Sequence, residues 1–149
     1  MVGELNELKL PPPSHIGVIV KSLEESSRYY TDVFGLGPWT FADNNPTREQ
    51  MLVGEPFKLT VCLAKWGSLL IELLEPKSDK SVWSDFLKRH GEGLHHTCHM
   101  VKNLDDVVPE LQKKGGKMIA GSWFKTIRWC YIEFPTSGLI IEVMEEGEL

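Results

Sequence analysis

The chain has 149 residues, 42% of them apolar, and a formal net charge of −5. That suits one compact domain with a packed interior, and the acidic balance argues against nucleic acid or an anionic membrane surface as partner. No apolar run is long enough to span a bilayer. Residues 1–7 lack the apolar core of a signal peptide, and three widely spaced cysteines (Cys62, Cys98, Cys130) read as reduced thiols, so the expected location is cytoplasmic.

In chain order, Pro11-Pro12-Pro13 forms a stiff lead-in. Residues 14–20 are β-branched and predict a short strand. Ser22-Leu23-Glu24-Glu25 is a capping-box signature, and it opens a helix that stops at Gly35 or Gly37. Residues 38–41 predict a second strand. Residues 42–56 are polar, carry two prolines and show no period, so they predict a mobile loop. Residues 57–64 and 69–74 predict a hairpin turning near Trp66-Gly67.

A connector follows, with a short helix over 81–90 that presents Val82, Phe86 and Leu87 and stops at Gly91. The plan then repeats. Residues 94–101 predict a strand. Asn103 caps a helix with Leu104, Val107, Val108 and Leu111 on its apolar side, in which Pro109 predicts a kink or a loose first turn. Residues 117–121 predict a strand, and 126–134 with 139–144 predict the last hairpin.

The repeat is explicit in the sequence. His15-Ile16-Gly17-Val18-Ile19-Val20-Lys21-Ser22-Leu23 matches His96-Thr97-Cys98-His99-Met100-Val101-Lys102-Asn103-Leu104, an offset of 96 − 15 = 81 residues. Leu69-Leu70-Ile71-Glu72-Leu73 likewise matches Leu139-Ile140-Ile141-Glu142-Val143. Each half therefore begins a strand with His and ends one with Glu. The His-to-Glu separations are 72 − 15 = 57 and 142 − 96 = 46, and the extra 11 residues fit the loop at 42–56.

A duplicated His…Glu pattern predicts a metal site on a pseudo-twofold axis, with His15, Glu72, His96 and Glu142 as ligands. Strand alternation puts His15, Gly17 and Ile19 on one face, and His96 with Cys98 on the matching one. His95 and His99 are then expected to point away. Glu72 and Glu142 sit among apolar residues, where an ionised carboxylate needs a cation or strong partners. Two imidazoles and two carboxylates suit Zn, Ni, Co, Mn or Fe with open positions for substrate oxygens.

If Pro135-Thr136-Ser137-Gly138 is a four-residue turn, Tyr131 lies opposite Glu142 and faces the site, where it would donate to substrate. The five tryptophans read as core or interface. Gly35-Leu36-Gly37 lacks the rest of a dinucleotide fingerprint, and no phosphate loop or nucleophile motif is present.

These residues, with Ile71-Glu72-Leu73-Leu74-Glu75-Pro76 and Gly91-Glu92-Gly93-Leu94-His95-His96, resemble the vicinal oxygen chelate (glyoxalase/bleomycin resistance/dioxygenase) superfamily over about residues 14–145. Its methylmalonyl-CoA epimerase-like branch is the most similar. The resemblance implies an α+β fold of two βαβββ modules whose curved mixed sheet encloses a cleft. On that plan residues 1–149 form a single domain, with module one at about 14–75, a connector at 76–92 and module two at about 93–145. It implies the same four metal ligands, a homodimer, and a small-molecule substrate such as an acyl-CoA or a glutathione adduct. The implied activity is a metal-dependent isomerase that removes a proton beside a carbonyl or thioester, with Glu142 as the expected base and Glu72 as either a second base or a ligand only. Alternatives within the superfamily are a glyoxalase I-like lyase, a drug-binding resistance protein, and an Fe(II) extradiol dioxygenase. Some epimerases carry a further carboxylate on the third strand of the first module; residues 57–64 carry none.

Overall fold

The computed structural model describes residues 8–147; the acidic residues 1–7 lie outside them. Nine strands and three helices alternate as β1 (His15–Ile19), α1 (Leu23–Phe34), β2 (Thr40–Asn44), β3 (Met51–Val53), β4 (Leu59–Trp66), β5 (Leu69–Pro76), α2 (Val82–His90), β6 (Gly93–Val101), α3 (Leu104–Lys113), β7 (Lys117–Phe124), β8 (Ile127–Phe134) and β9 (Leu139–Glu145). The strands form one mixed sheet in the order β2-β4-β5-β1-β6-β9-β8-β7-β3.

The sheet is strongly curled, as its two edges require. A flat nine-stranded sheet would hold its edges about 38 Å apart, at about 4.8 Å per strand. Yet the edges β2 and β3 are consecutive in the chain, and the segment from Asn44 to Met51 reaches at most about 25 Å. The fold is a half-barrel of α+β class.

The convex face carries α1 over Val18, Val20, Cys62, Ile71 and Leu73, and α3 over Cys130, Ile132, Ile141 and Val143. Ser22 caps α1 by accepting from the Glu25 amide, and Asn103 caps α3 by accepting from the Asp105 amide. The connector helix α2 packs into the concave side. There Trp83 meets Phe57, Trp129 and Tyr131, with ring centroids 4.5 to 6.2 Å apart.

Two expectations need correction. Residues 42–56 are not a plain loop: β2 runs on to Asn44, Arg48–Gln50 forms a 3-10 turn, and β3 leaves the first half to pair with β7. Strand β7 runs on to Phe124 rather than ending at Gly121. Helix α3 continues through Pro109, and packing of its four buried apolar residues offsets the one backbone donor that proline lacks.

Candidate metal centre

The four central strands β5-β1-β6-β9 each contribute one side chain to a cluster on the concave face. Parallel pairing of β1 with β5 sets Gly17 beside Glu72, and antiparallel pairing with β6 sets Gly17 beside His96 and His15 beside Cys98. Parallel pairing of β6 with β9 then sets Cys98 beside Glu142. His15, Gly17 and Ile19 share the concave face, while Ile16, Val18 and Val20 meet the helix, as alternation requires.

The result is a compact square. His15 Nε2 lies 3.1 Å from Glu142 Oε2 and 3.6 Å from Glu72 Oε1; His96 Nε2 lies 3.1 and 3.6 Å from the same two atoms. All four ligand-type atoms fall within 4.8 Å of one another. His15, His96 and Glu142 are buried, while the Glu72 side chain is 14% exposed and forms the accessible side.

Burial sets the protonation states against the mutual charges. For His15, burial disfavours the cation, but Glu72 and Glu142 outweigh it and raise the pKa to about 9. Burial would raise Glu142, but its hydrogen bond with His15 and the two histidine charges hold it well below the usual carboxylate range. Burial raises Glu72 as well, and there the like charge of Glu142 adds to the effect. The two carboxylates are therefore driven apart in acidity.

The cluster fits a divalent cation by three tests. Its donor set of two imidazoles and two carboxylates is one that transition-metal dications accept. The carboxylates balance a dication. His96 Nε2 is buried in the cluster without a hydrogen-bond partner, because Glu142 lies near it but out of line. A ligand atom awaiting an ion has that property.

The site holds residues that pattern alone did not find. His95 does not point away. The β1–β6 register shifts between Gly17 and Val18, leaving one extra residue in β6 at this point. His95 therefore turns inward, buried, with its Nδ1 2.9 Å from His96 Nδ1 and its ring edge-on to Phe86. Burial, with the neighbouring His96, lowers its pKa to about 3, so it is neutral. His99 does face the other side, bound to Thr97 Oγ1 and to the Pro11 carbonyl. Gly17 supports the His96 ring: an added Cβ would lie 2.1 Å from His96 Cε1. A lone glycine in a β-branched strand signals such a close approach; a one-residue bulge leaves no periodic trace.

Tyr131 lies opposite Glu142, as the hairpin register predicted. Its ring packs on His96 at 4.6 Å between centroids, and its hydroxyl oxygen accepts from Trp83 Nε1 at 3.0 Å. Of the tryptophans, Trp83 and Trp129 are core, whereas Trp66 and Trp123 are exposed. Cys62, Cys98 and Cys130 are all buried free thiols. Among the described residues no helix is long and apolar enough to cross a membrane.

Known proteins resemble this chain in sequence and in fold. The uncharacterised protein YqjC of Bacillus subtilis (strain 168) is 30% identical over 136 residues, covering 88% of this chain and 89% of its own. The mitochondrial methylmalonyl-CoA epimerase of Mus musculus is 31% identical over 107 residues, covering 71% of this chain and 54% of its own, so the chain spans about half of that relative's length. The crystal structure of methylmalonyl-CoA epimerase from Mycobacterium tuberculosis superposes with a TM-score of 0.70 at 19% identity, over 96% of this chain and 95% of that one, a likeness of fold. A family profile matches residues 14–134. The chain belongs to the glyoxalase/bleomycin resistance protein/dioxygenase superfamily.

Proposed function

We propose that the protein is a metal-dependent isomerase that moves a proton on a carbon beside a thioester or carbonyl, acting on a methylmalonyl-CoA-like acyl thioester. The observation that carries this reading is the buried square of His15, Glu72, His96 and Glu142, whose ligand-type atoms all lie within 4.8 Å of one another. His15, Glu72, His96 and Glu142 would hold a divalent cation. Bound there, it would supply a Lewis acid for the oxygens flanking the reacting carbon.

The residues then divide the work. Glu72 is the more exposed carboxylate of the four ligands, so it suits removal of the carbon-bound proton. Glu142 is deeper and held ionised by both histidines; it faces Glu72 across the pseudo-twofold axis, where it could serve the opposite face of the carbon. Tyr131 keeps its own hydroxyl proton to donate, since its oxygen already accepts from Trp83. The aromatic wall of Trp83, Trp129 and Phe57 excludes water behind them. The choice of an acyl-CoA is supported by the epimerase relatives and by a Streptomyces coelicolor epimerase of the same fold that binds 2-nitronate-propionyl-CoA.

The test is exchange of the α-proton of methylmalonyl-CoA with deuterated solvent by metal-loaded protein. Exchange is expected, with loss on chelation and sharp reduction in Glu72→Gln. No exchange, together with turnover of a glutathione hemithioacetal, would replace this reading with a lyase.

A further inference from the structure

We propose that His95 is a positioning residue: its Nδ1 accepts the proton on His96 Nδ1 and so fixes the tautomer in which His96 Nε2 offers a lone pair to the cluster. This deepens the metal reading and rests on it.

The geometry leaves few choices. Two ring nitrogens 2.9 Å apart share one proton, so one donates and the other accepts. His96 Nε2 is buried and makes no well-formed hydrogen bond although Glu142 is 3.1 Å away, so a lone pair on that atom, aimed into the cluster, fits the site better than a proton does. The shared proton therefore belongs to His96 Nδ1, with His95 as acceptor. Ligating histidines are commonly held in this way by an acceptor on the second ring nitrogen.

His95 is well placed to hold still. It is buried, and its ring packs against Phe86 at 5.0 Å and Tyr131 at 5.4 Å between centroids. It also lines a cavity of about 220 Å³ with Phe86, Arg89, Ile119, Glu133 and Ile140, beside α2. The first half lacks the device. By the 81-residue offset His95 corresponds to Ser14, whose hydroxyl instead bonds the Cys98 carbonyl at 3.3 Å.

The experiment has two arms. Nitrogen-15 NMR of the zinc-loaded wild-type protein should find the His96 proton on Nδ1, in a bond to His95; a proton absent from Nδ1 would overturn the inference without any variant. Zinc affinity by chelator competition should fall about 10- to 100-fold in His95→Leu and recover substantially in His95→Gln, whose carbonyl can accept. Equal loss in both variants would indicate packing alone and overturn the inference. Wild-type affinity in His95→Leu would overturn it while leaving the metal reading intact. Failure of the wild-type protein to bind zinc, cobalt or manganese would overturn both.

Discussion

The two halves supply the same ligands but support them differently. In the second half, His96 sits on Gly17, beside a bulge that turns His95 inward. In the first half, His15 lies opposite Cys98 and Ser14 takes the place of His95. The helices differ as well. Helix α3 buries Leu104, Val107, Val108 and Leu111, and Arg128 ties its start to the sheet through Glu145 and Asp105. Helix α1 buries only Leu23 and Ser27 and leaves Tyr29, Val33 and Phe34 exposed. Duplication keeps the atoms that would meet the ion, while the atoms behind them have diverged.

The largest expected effect comes from changing the equivalent small residue on either side of this asymmetry to alanine. Gly17→Ala should displace the His96 ring and weaken zinc binding by about 10- to 100-fold. Trimming the counterpart, Cys98→Ala, should leave affinity unchanged and cost about 1 kcal/mol of stability for the small void. Chelator competition and denaturant melts read both. Equal affinity losses would mean the halves are supported alike.

A smaller effect concerns pH. His15 in the metal-free protein has a pKa of about 9, above its ordinary value of 6.5. An ion must displace that proton, so affinity should climb by about tenfold per pH unit between pH 7 and 9 and flatten above. The sign for metal-free stability is opposite. The His15 contribution is complete below about 6.5 and fades as pH rises through 9. Calorimetric titration and thermal melts over this range check both; affinity independent of pH would show that His15 is not a ligand.

The smallest effect lies at the helix starts. Arg128 donates to Glu145 at 2.7 and 2.9 Å and to Asp105 at 3.1 and 3.2 Å, and Glu145 also accepts the Leu104 amide. Arg128→Ala should cost about 1–2 kcal/mol. Arg28, paired with Glu24 on the exposed face of α1, has no such tie, and Arg28→Ala should cost at most about 0.5 kcal/mol. Urea midpoints separate them, and equal costs would remove this contrast.

Much of this was legible beforehand because a repeat constrains what a single pattern does not. The 81-residue offset chose His96 over its neighbour His95, strand alternation gave the faces of β1, and the length of the last hairpin turn gave the Tyr131–Glu142 register. Three features stayed hidden, each for a physical reason. The bulge at His95 is a single inserted residue with no period. Strand β3 pairs with β7 across about seventy residues, a contact that no local pattern encodes. Trp83 reads as an apolar helix position, yet which side of the sheet α2 enters depends on how the whole sheet curls.

That curl bears on association between molecules. Strand β7 would otherwise end the sheet with an eight-residue row of open amides and carbonyls, a template for another chain. Met51–Val53 lies along part of it, brought there by a short tether from the opposite edge. Deleting residues 48–54 would leave every proposed ligand in the chain, but it would uncover a sticky margin. The shortened protein should precipitate on warming or concentration before it loses its affinity for metal.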